Sequence, residues 1–335
     1  MQVNELFRQS NTILLDGGMG TMLQAAGLKL GARPEELNIT DPALIEGIHG
    51  QYAAAGSRIV NANTFGASAH KLAGSAYTLE QVITAGIENC KRACAPYGAL
   101  TALDVGPLGE LLEPSGTLAF EDAVAEYARI VKAGEAAGAD LIFFETYTDL
   151  YELKAALLAA KENTHLPILA SMSFEAGGRT FTGCTVESFA ATARGLGADA
   201  VGINCSLGPK EIFPMAKRLA EAVPGNFPVF VKPNAGLPRA DGSGYDITPQ
   251  LFALQMKPYR ELHLFAAGGC CGTTPEFIKL LNGTFAGCTP GRPAHRMPSV
   301  LCTPVDTVTV DGITVVGERI NPTGKKRFQQ ALREE

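Results

Sequence analysis

Short apolar runs alternate with longer amphipathic stretches along most of the chain. Each run ends in small or polar residues and is rich in Ile, Val, Leu and Phe, which is typical of strands buried on both faces of a parallel sheet. Eight runs follow this pattern, at residues 12–18, 58–65, 100–106, 140–147, 167–174, 200–206, 228–234 and 262–270. The last of them places His263 within a buried strand.

The stretches between the runs have helical periodicity. They cover residues 42–56, 79–95, 121–138, 149–163, 186–195, 209–223, 248–259 and 275–282. The first follows Thr40 and Asp41 as a cap, has Pro42 at its first position and closes on Gly56, all of which are helix boundary signals. Eight strand–helix units in about 275 residues predict a (β/α)₈ TIM barrel. The alternative, a doubly wound open sheet, usually has fewer strands.

The barrel is predicted to occupy residues 1–290. Two Gly/Pro-rich insertions, residues 29–39 and 235–247, follow strands one and seven, at the end of a barrel where active sites form. Residues 291–316 are predicted to form a linker, because the first part of this segment has no periodic pattern. Residues 307–317 are predicted to begin a strand-like pair. Residues 317–335 are predicted to start a further module.

Composition narrows the function classes. Charged residues make up 19% of the chain and the net charge is -6 without a basic cluster on the barrel, so we expect no nucleic-acid partner. No apolar stretch reaches the roughly 18 residues that span a membrane, and the first eight residues carry an acid and do not resemble a signal peptide. We therefore predict a cytoplasmic protein, in which eight reduced cysteines indicate metal binding or chemistry before disulfides.

Two adjacent cysteines, Cys270 and Cys271, stand in a glycine-rich segment. The flanking glycines allow backbone conformations closed to other residues, so both sulfurs can point at one place. Cys205 ends strand six, and strands six and eight are neighbours but one around a barrel, so the three thiols are predicted to converge. Three thiolates suit Zn²⁺ and leave its fourth position open, as catalytic sites do. The alternative is that all three are small buried residues without a metal.

The chemistry of such a zinc follows from its ligands. Three thiolates make the metal electron-rich and a poor activator of water, yet its charge still stabilises a substrate thiolate in the open position. The pattern therefore favours alkyl transfer to sulfur. A zinc hydrolase would need His or carboxylate ligands, which are missing from these positions. A non-catalytic zinc or thiol-binding module, the other alternative, would have four protein ligands.

Four separated motifs carry a family resemblance. The segments DGGMGT at 16–21, NANTFG at 61–66, GINC at 202–205 and GGCCG at 268–272 together resemble the zinc-dependent homocysteine S-methyltransferase family, in matching order across residues 10–290. The resemblance implies that Cys205, Cys270 and Cys271 are the catalytic zinc ligands. It also implies that the sulfur of homocysteine completes the coordination.

Homocysteine also carries an ammonium and a carboxylate that must be held. Asp16 and Glu145, at the ends of strands one and four, are predicted to bind the ammonium, and the resemblance supports this role. Backbone N–H groups of the Gly17–Gly18 turn are predicted to bind the carboxylate. The alternatives are a turn-forming Asp and a capping Glu.

Two further residues are predicted to bind substrate. Phe65 lies at the end of strand two, within the second motif. Asn234 ends strand seven, between the cysteine-bearing strands, and we hypothesise that its amide oxygen approaches the zinc when no substrate is present. The alternative is an Asn turn before a Gly/Pro loop.

The end of the chain bears on the methyl donor. The segment VGERINPTGKK at 316–326 resembles the opening of the methyltetrahydrofolate-binding module of cobalamin-dependent methionine synthases. This resemblance implies that homocysteine takes its methyl group from methylcobalamin on a corrinoid-binding module, with methyltetrahydrofolate on a folate-binding module as the upstream donor, and that methionine is formed. The alternative is a stand-alone enzyme that uses betaine or S-methylmethionine.

Overall fold

Eight parallel strands form the centre of the molecule. The computed structural model describes residue 7 and residues 11–29, 31–239, 244–293, 297–310, 312–315, 317 and 322–334. The strands are β1 (Ile13–Leu14), β2 (Ile59–Asn61), β3 (Leu100–Val105), β4 (Leu141–Tyr147), β5 (Ile168–Met172), β6 (Ala200–Asn204), β7 (Val229–Lys232) and β8 (Ala266–Ala267). Each falls within its predicted run, because apolar residues on both faces suit a sheet that is covered on both sides.

The sheet curls into a nearly closed barrel. Its strands pair in parallel in the order β1-β8-β7-β6-β5-β4-β3-β2. A single bridge between Leu14 and Ser57, together with a 2.7 Å hydrogen bond from the Arg58 N–H to the Leu14 carbonyl, joins β1 to the start of β2. The (β/α)₈ TIM barrel is confirmed, and the open doubly wound sheet is wrong.

The described α-helices, except the last, surround this barrel. In the described residues they are α1 (Met19–Ala25), α2 (Leu37–Thr40), α3 (Pro42–Ala55), α4 (Leu79–Cys94), α5 (Phe120–Ala136), α6 (Leu150–Asn163), α7 (Val186–Gly195), α8 (Pro209–Glu221), α9 (Pro249–Met256), α10 (Pro275–Phe285) and α11 (Lys326–Glu334). Side-chain caps fix several starts: Asp41 caps α3, and Thr78 forms a reciprocal capping box with Gln81 at α4. The sequence did not predict α1 and α2, which are short and lie in glycine- and proline-rich segments.

Two apolar cores result from the alternation along the strands. One set of strand residues, including Val60, Leu103 and Ile142, faces the helices. The opposite set faces the barrel interior and forms a separate buried cluster, to which Phe143 and Phe230 contribute the largest rings. The interior is therefore a packed layer that closes one end of the barrel and supports whatever lies above it.

The segment predicted as a linker contains structure. Strands β9 (Ser299–Cys302) and β10 (Thr307–Val310) pair as an antiparallel hairpin. Its turn is fastened to the start of α7, because the Pro304 carbonyl accepts from the Thr185 N–H at 3.1 Å and the Asp306 carbonyl accepts from Ser188 Oγ at 3.2 Å. The sequence predicted the start of a strand at residue 307, where β10 begins, but missed β9, because the hairpin is held by contacts with the barrel. The division into a barrel, a linker and a further module stays a prediction, and residues 316 and 318–321 of the tail motif lie outside the described residues.

One assignment in the eighth run is wrong. His263 is exposed and ends a 3₁₀ helix, Lys257–Leu262, with a left-handed φ of 48°. The buried part of the run begins one residue later, at Leu264, because the chain must first turn back towards the barrel. No helix in the described ranges is long and apolar enough to cross a membrane. The cytoplasmic location stays a prediction.

Candidate active site

Asp16, which follows β1, lies buried at the carboxyl end of the barrel. Its Oδ2 accepts a hydrogen bond from the backbone N–H of Asn61 at 2.7 Å, which ties β1 to β2 where few ladder bonds connect them. Its Oδ1 lies 3.0 Å from Lys232 Nζ. Burial raises the pKa of this carboxyl, and the nearby lysine opposes that shift.

Lys232, the last residue of β7, is the main residue that sequence reasoning missed. Its side chain is 2% exposed, and its ammonium lies 3.0 Å from both Asp16 Oδ1 and Glu145 Oε2. The ammonium also stands 5.1 Å from the centre of the Phe143 ring, at cation–π distance. The two predicted ammonium-binding carboxylates therefore already share a cation that belongs to the protein.

Asn61 and Asp104 complete this polar group. Asn61 Nδ2 donates to Glu145 Oε2 at 3.3 Å, so one amide links β2 to β4 across the interior. Asp104, on β3, is 7% exposed, and its Oδ1 is buried without a hydrogen-bond partner among the described residues. Desolvation raises the pKa of Asp104 well above its ordinary value, and the charge of Glu145 adds to the effect. The group around Lys232 thus holds three carboxylates and one lysine, and a fourth buried carboxylate, Glu35, lines the same cavity.

The three predicted cysteines converge beside this group. Their sulfurs lie within 4.8 Å of one another, with Cys205 and Cys271 3.8 Å apart. Cys205 follows β6, and both Cys205 and Ser206 have left-handed φ angles, of 63° and 61°. Such angles are costly for residues with a Cβ and are found where surrounding structure enforces them. The turn directs the Cys205 sulfur towards the loop that follows β8.

That loop is held in place by hydrogen bonds from its neighbours. The Cys270 N–H donates to the Pro233 carbonyl at 2.8 Å, and the Cys271 N–H donates to Asn234 Oδ1 at 3.0 Å. The amide oxygen of Asn234 therefore supports the cysteine loop here. Its predicted approach to the metal, and its predicted contact with substrate, stay predictions.

The donor set fits a thiophilic metal. In the absence of a cation, hydrogen bonding with Cys270 raises the pKa of Cys205 to about 12, and hydrogen bonding with Cys205 raises the pKa of Cys271 to about 11. Neutral thiols would be the stable form of such a cluster alone. Three sulfurs so close together, two of them half-buried, suit zinc, which would displace their protons. Their role as zinc ligands stays a prediction.

Gly17 and Gly18 permit close packing between the ends of β1 and β8. A Cβ at Gly18 would lie 2.9 Å from the Cys270 carbonyl oxygen, and one at Gly17 would lie 2.7 Å from Thr273 Oγ1. The Gly18 N–H donates to the Thr273 carbonyl at 3.1 Å, so this amide already has a partner. The predicted binding of the substrate carboxylate at Gly17 and Gly18 stays a prediction.

A single cavity of about 360 Å³ joins the two clusters. Phe65, 36% exposed, lines the wall of this cavity next to the Cα of Gly106. The Lys71 ammonium lies 5.1 Å from the centre of the Phe65 ring. The residues that line the cavity include Asp16, Gly17, Gly18, Asn61, Phe65, Asp104, Glu145, Cys205, Lys232, Tyr245, Cys270 and Cys271. A small ligand in this space would touch sulfur at one end and carboxylates at the other.

The chain matches known proteins in sequence. The profile of the homocysteine S-methyltransferase family matches residues 13–285. Methionine synthases of Mycobacterium tuberculosis and Mycobacterium leprae are each 32% identical to the chain over 95% of its length, and the chain spans 28% of theirs.

Solved structures agree on the fold. The homocysteine methyltransferase MmuM of Escherichia coli superposes with a TM-score of 0.72 in its oxidized form, at 24% identity, covering 84% of this chain and 98% of that one. Its metallated form gives 0.72 at 23% identity, covering 84% and 99%. Because the family profile covers the whole barrel from β1 to α10, the chain belongs to the homocysteine S-methyltransferase family.

Proposed function

We propose that this chain is the homocysteine-binding barrel of a methionine synthase, and that it presents the homocysteine sulfur to the methyl group of methylcobalamin. The observation that carries the proposal is the shared cavity, in which three converging cysteine sulfurs face a group of buried carboxylates. An amino-acid thiol is a ligand with matching ends. The 32% identity to two methionine synthases supports this branch of the family over a stand-alone enzyme.

The protein's own residues would bind and orient the substrate. Cys205, Cys270 and Cys271 would hold the zinc, which when bound supplies the positive charge that keeps the substrate thiol deprotonated at neutral pH. Asp16 and Glu145, braced by Lys232, would fix the ammonium end. With both ends held, the sulfur has a restricted set of positions, and such pre-orientation is a major source of rate enhancement.

The transfer itself is a substitution at carbon. A corrinoid on a separate module would supply the methyl group and keep the electron pair of the bond that it gives up, and this chain's residues would hold the sulfur whose lone pair forms the new bond to carbon. The chain's part in this step is to leave the sulfur accessible from the cavity mouth. Cys205 and Cys271 are only half-buried, which is consistent with a reaction at the open side of the cluster.

Metal content and sulfur coordination test the proposal. We expect about one zinc per wild-type chain and more than about a hundredfold loss of zinc affinity in Cys270→Ala, because one of three ligands is removed. X-ray absorption should show three sulfur neighbours before homocysteine is added and four afterwards. Cys302→Ala, which removes an exposed thiol outside the cavity, is the matched control and should bind metal normally.

The donor is tested separately. Wild-type chain is incubated with homocysteine and methylcobalamin, betaine or S-methylmethionine, and methionine is measured. Methionine from methylcobalamin alone supports the proposal, whereas formation from betaine or S-methylmethionine supports the stand-alone alternative. A metal-free wild-type chain, or an unchanged sulfur count after homocysteine addition, contradicts the mechanism.

A further inference from the structure

Asp104 is the carboxylate of this group that has a buried oxygen without a hydrogen-bond partner among the described residues. Thr64 holds its backbone from both directions: the Asp104 N–H donates to Thr64 Oγ1 at 3.1 Å, and Thr64 Oγ1 donates to the Asp104 carbonyl at 2.8 Å. The side chain projects from this fixed point into the cavity that also contains the cysteines. Its Oδ1 is buried and accepts no hydrogen bond from any described residue.

The charges around Asp104 do not balance. Lys232 lies 3.0 Å from Asp16 and 3.0 Å from Glu145, and those two carboxylates share its ammonium. Asn61 contributes neutral N–H groups but no charge. A buried carboxylate without a cation in contact is costly, so in the protein alone Asp104 holds a proton, as its raised pKa indicates, and an incoming cation would take the place of that proton.

We propose that Asp104 is a further specificity-determining residue, a third carboxylate that binds the ammonium group of the incoming amino thiol. This inference rests on the proposed function, because it takes homocysteine as the ligand. The ammonium brings the second positive charge that three carboxylates require, and it brings three N–H donors, one of which Oδ1 would accept. Asp104 therefore makes the site select amino thiols over thiols without an amino group.

Calorimetric titration with two ligands tests this role. The probes are L-homocysteine and 4-mercaptobutanoate, which has the same chain, thiol and carboxylate but lacks the amino group. In Asp104→Asn we expect homocysteine affinity to fall about tenfold to a hundredfold, the usual effect of losing a charge-assisted hydrogen bond, and 4-mercaptobutanoate affinity to change less than about twofold. Asp122→Asn, which neutralises an exposed carboxylate on α5, is the control and should bind both ligands like the wild type.

The outcomes separate the two levels of inference. If Asp104→Asn loses affinity equally for both ligands, or for neither, Asp104 is structural and the inference is wrong, while the proposed function stands. If the wild type does not bind homocysteine at all, the proposed function fails. Asp104→Ala provides a second variant without any acceptor atom, and circular dichroism establishes that each variant is folded before it is titrated.

Discussion

The barrel interior has two layers whose difference explains much of the molecule. The lower layer is apolar, and the upper layer, at the carboxyl ends of the strands, is polar and charged. On five strands the change takes a single inward-facing step of two residues: Ile59 to Asn61, Ala102 to Asp104, Phe143 to Glu145, Leu169 to Ser171 and Phe230 to Lys232. The same β alternation that places a ring in the core therefore places a charge in the site.

The two layers differ in whether their residues find all their contacts within the protein. In the apolar layer they do: Phe143 and Phe230 pack edge to face with their ring centres 5.0 Å apart. Parts of the polar layer do so too: Ser171 Oγ donates to Asn204 Oδ1 at 2.9 Å. Other parts do not: Asp104 Oδ1 has no hydrogen-bond partner among the described residues, and the three converging thiols form a donor set that suits a metal. The apolar layer therefore stabilises the fold, and the polar layer is the one suited to bind ligands.

The largest expected effect comes from opening the apolar layer. Phe230→Ala removes a ring that is 0% exposed and should lower the free energy of unfolding by about 3–5 kcal/mol, because the packed barrel cannot collapse around the gap. Denaturant titration measures the loss. Phe181→Ala, at a side chain that is 74% exposed, is the control and should stay within about 0.5 kcal/mol of the wild type.

Phe230→Ala should leave the polar layer able to bind metal. Metal content per folded molecule is expected to match the wild type, because Phe230 belongs to the apolar layer and is not one of the cavity-lining residues. A loss of metal in the folded fraction would show that the two layers are not separable.

A smaller effect is expected where the layers meet. Lys232→Met leaves Asp16 and Glu145 buried together without their cation and should lower the free energy of unfolding by about 3 kcal/mol, an amount limited by protonation of the carboxyls. Adding Asp16→Asn should restore part of that loss, since one of the two stranded charges disappears. Lys210→Met, at an exposed position of α8, is the control.

A double-mutant cycle decides whether the ion pair is responsible. If Lys232→Met and Asp16→Asn destabilise additively, the lysine acts through packing against Phe143 and not through charge.

The sequence predicted the frame of this arrangement well. Hydrophobic runs locate all eight barrel strands, because strands covered on both faces must be apolar, and helical periodicity locates helices α3 to α10. The convergence of Cys205 with Cys270 and Cys271 follows from strand order alone. These features depend on short segments of sequence and on the regular geometry of the fold.

The features that it missed depend on distant partners. Lys232 looked like one polar residue at a strand end, since the residues that pair with it are 216 and 87 positions away. The available signal was a lysine that ends an otherwise apolar strand, where a charge needs a buried partner. Strand β9, and its pairing with β10, were missed for a related reason, since the hairpin is held by hydrogen bonds to the start of α7.

The smallest expected effect on stability comes from Asp104. Because burial and Glu145 raise the folded-state pKa of Asp104 well above 3.8, the folded chain holds a proton there that the unfolded chain has lost, so stability should fall as pH rises above about 4. Asp104→Asn should raise the free energy of unfolding at pH 7 by about 1 kcal/mol and make this fall shallower.

Some dependence of stability on pH should remain in Asp104→Asn, since burial also raises the pKa of Asp16, Glu35 and Glu152. Denaturant titrations from pH 4 to 8, with Asp122→Asn as control, measure both quantities, and an unchanged slope would show that Asp104 is ionised in the empty site.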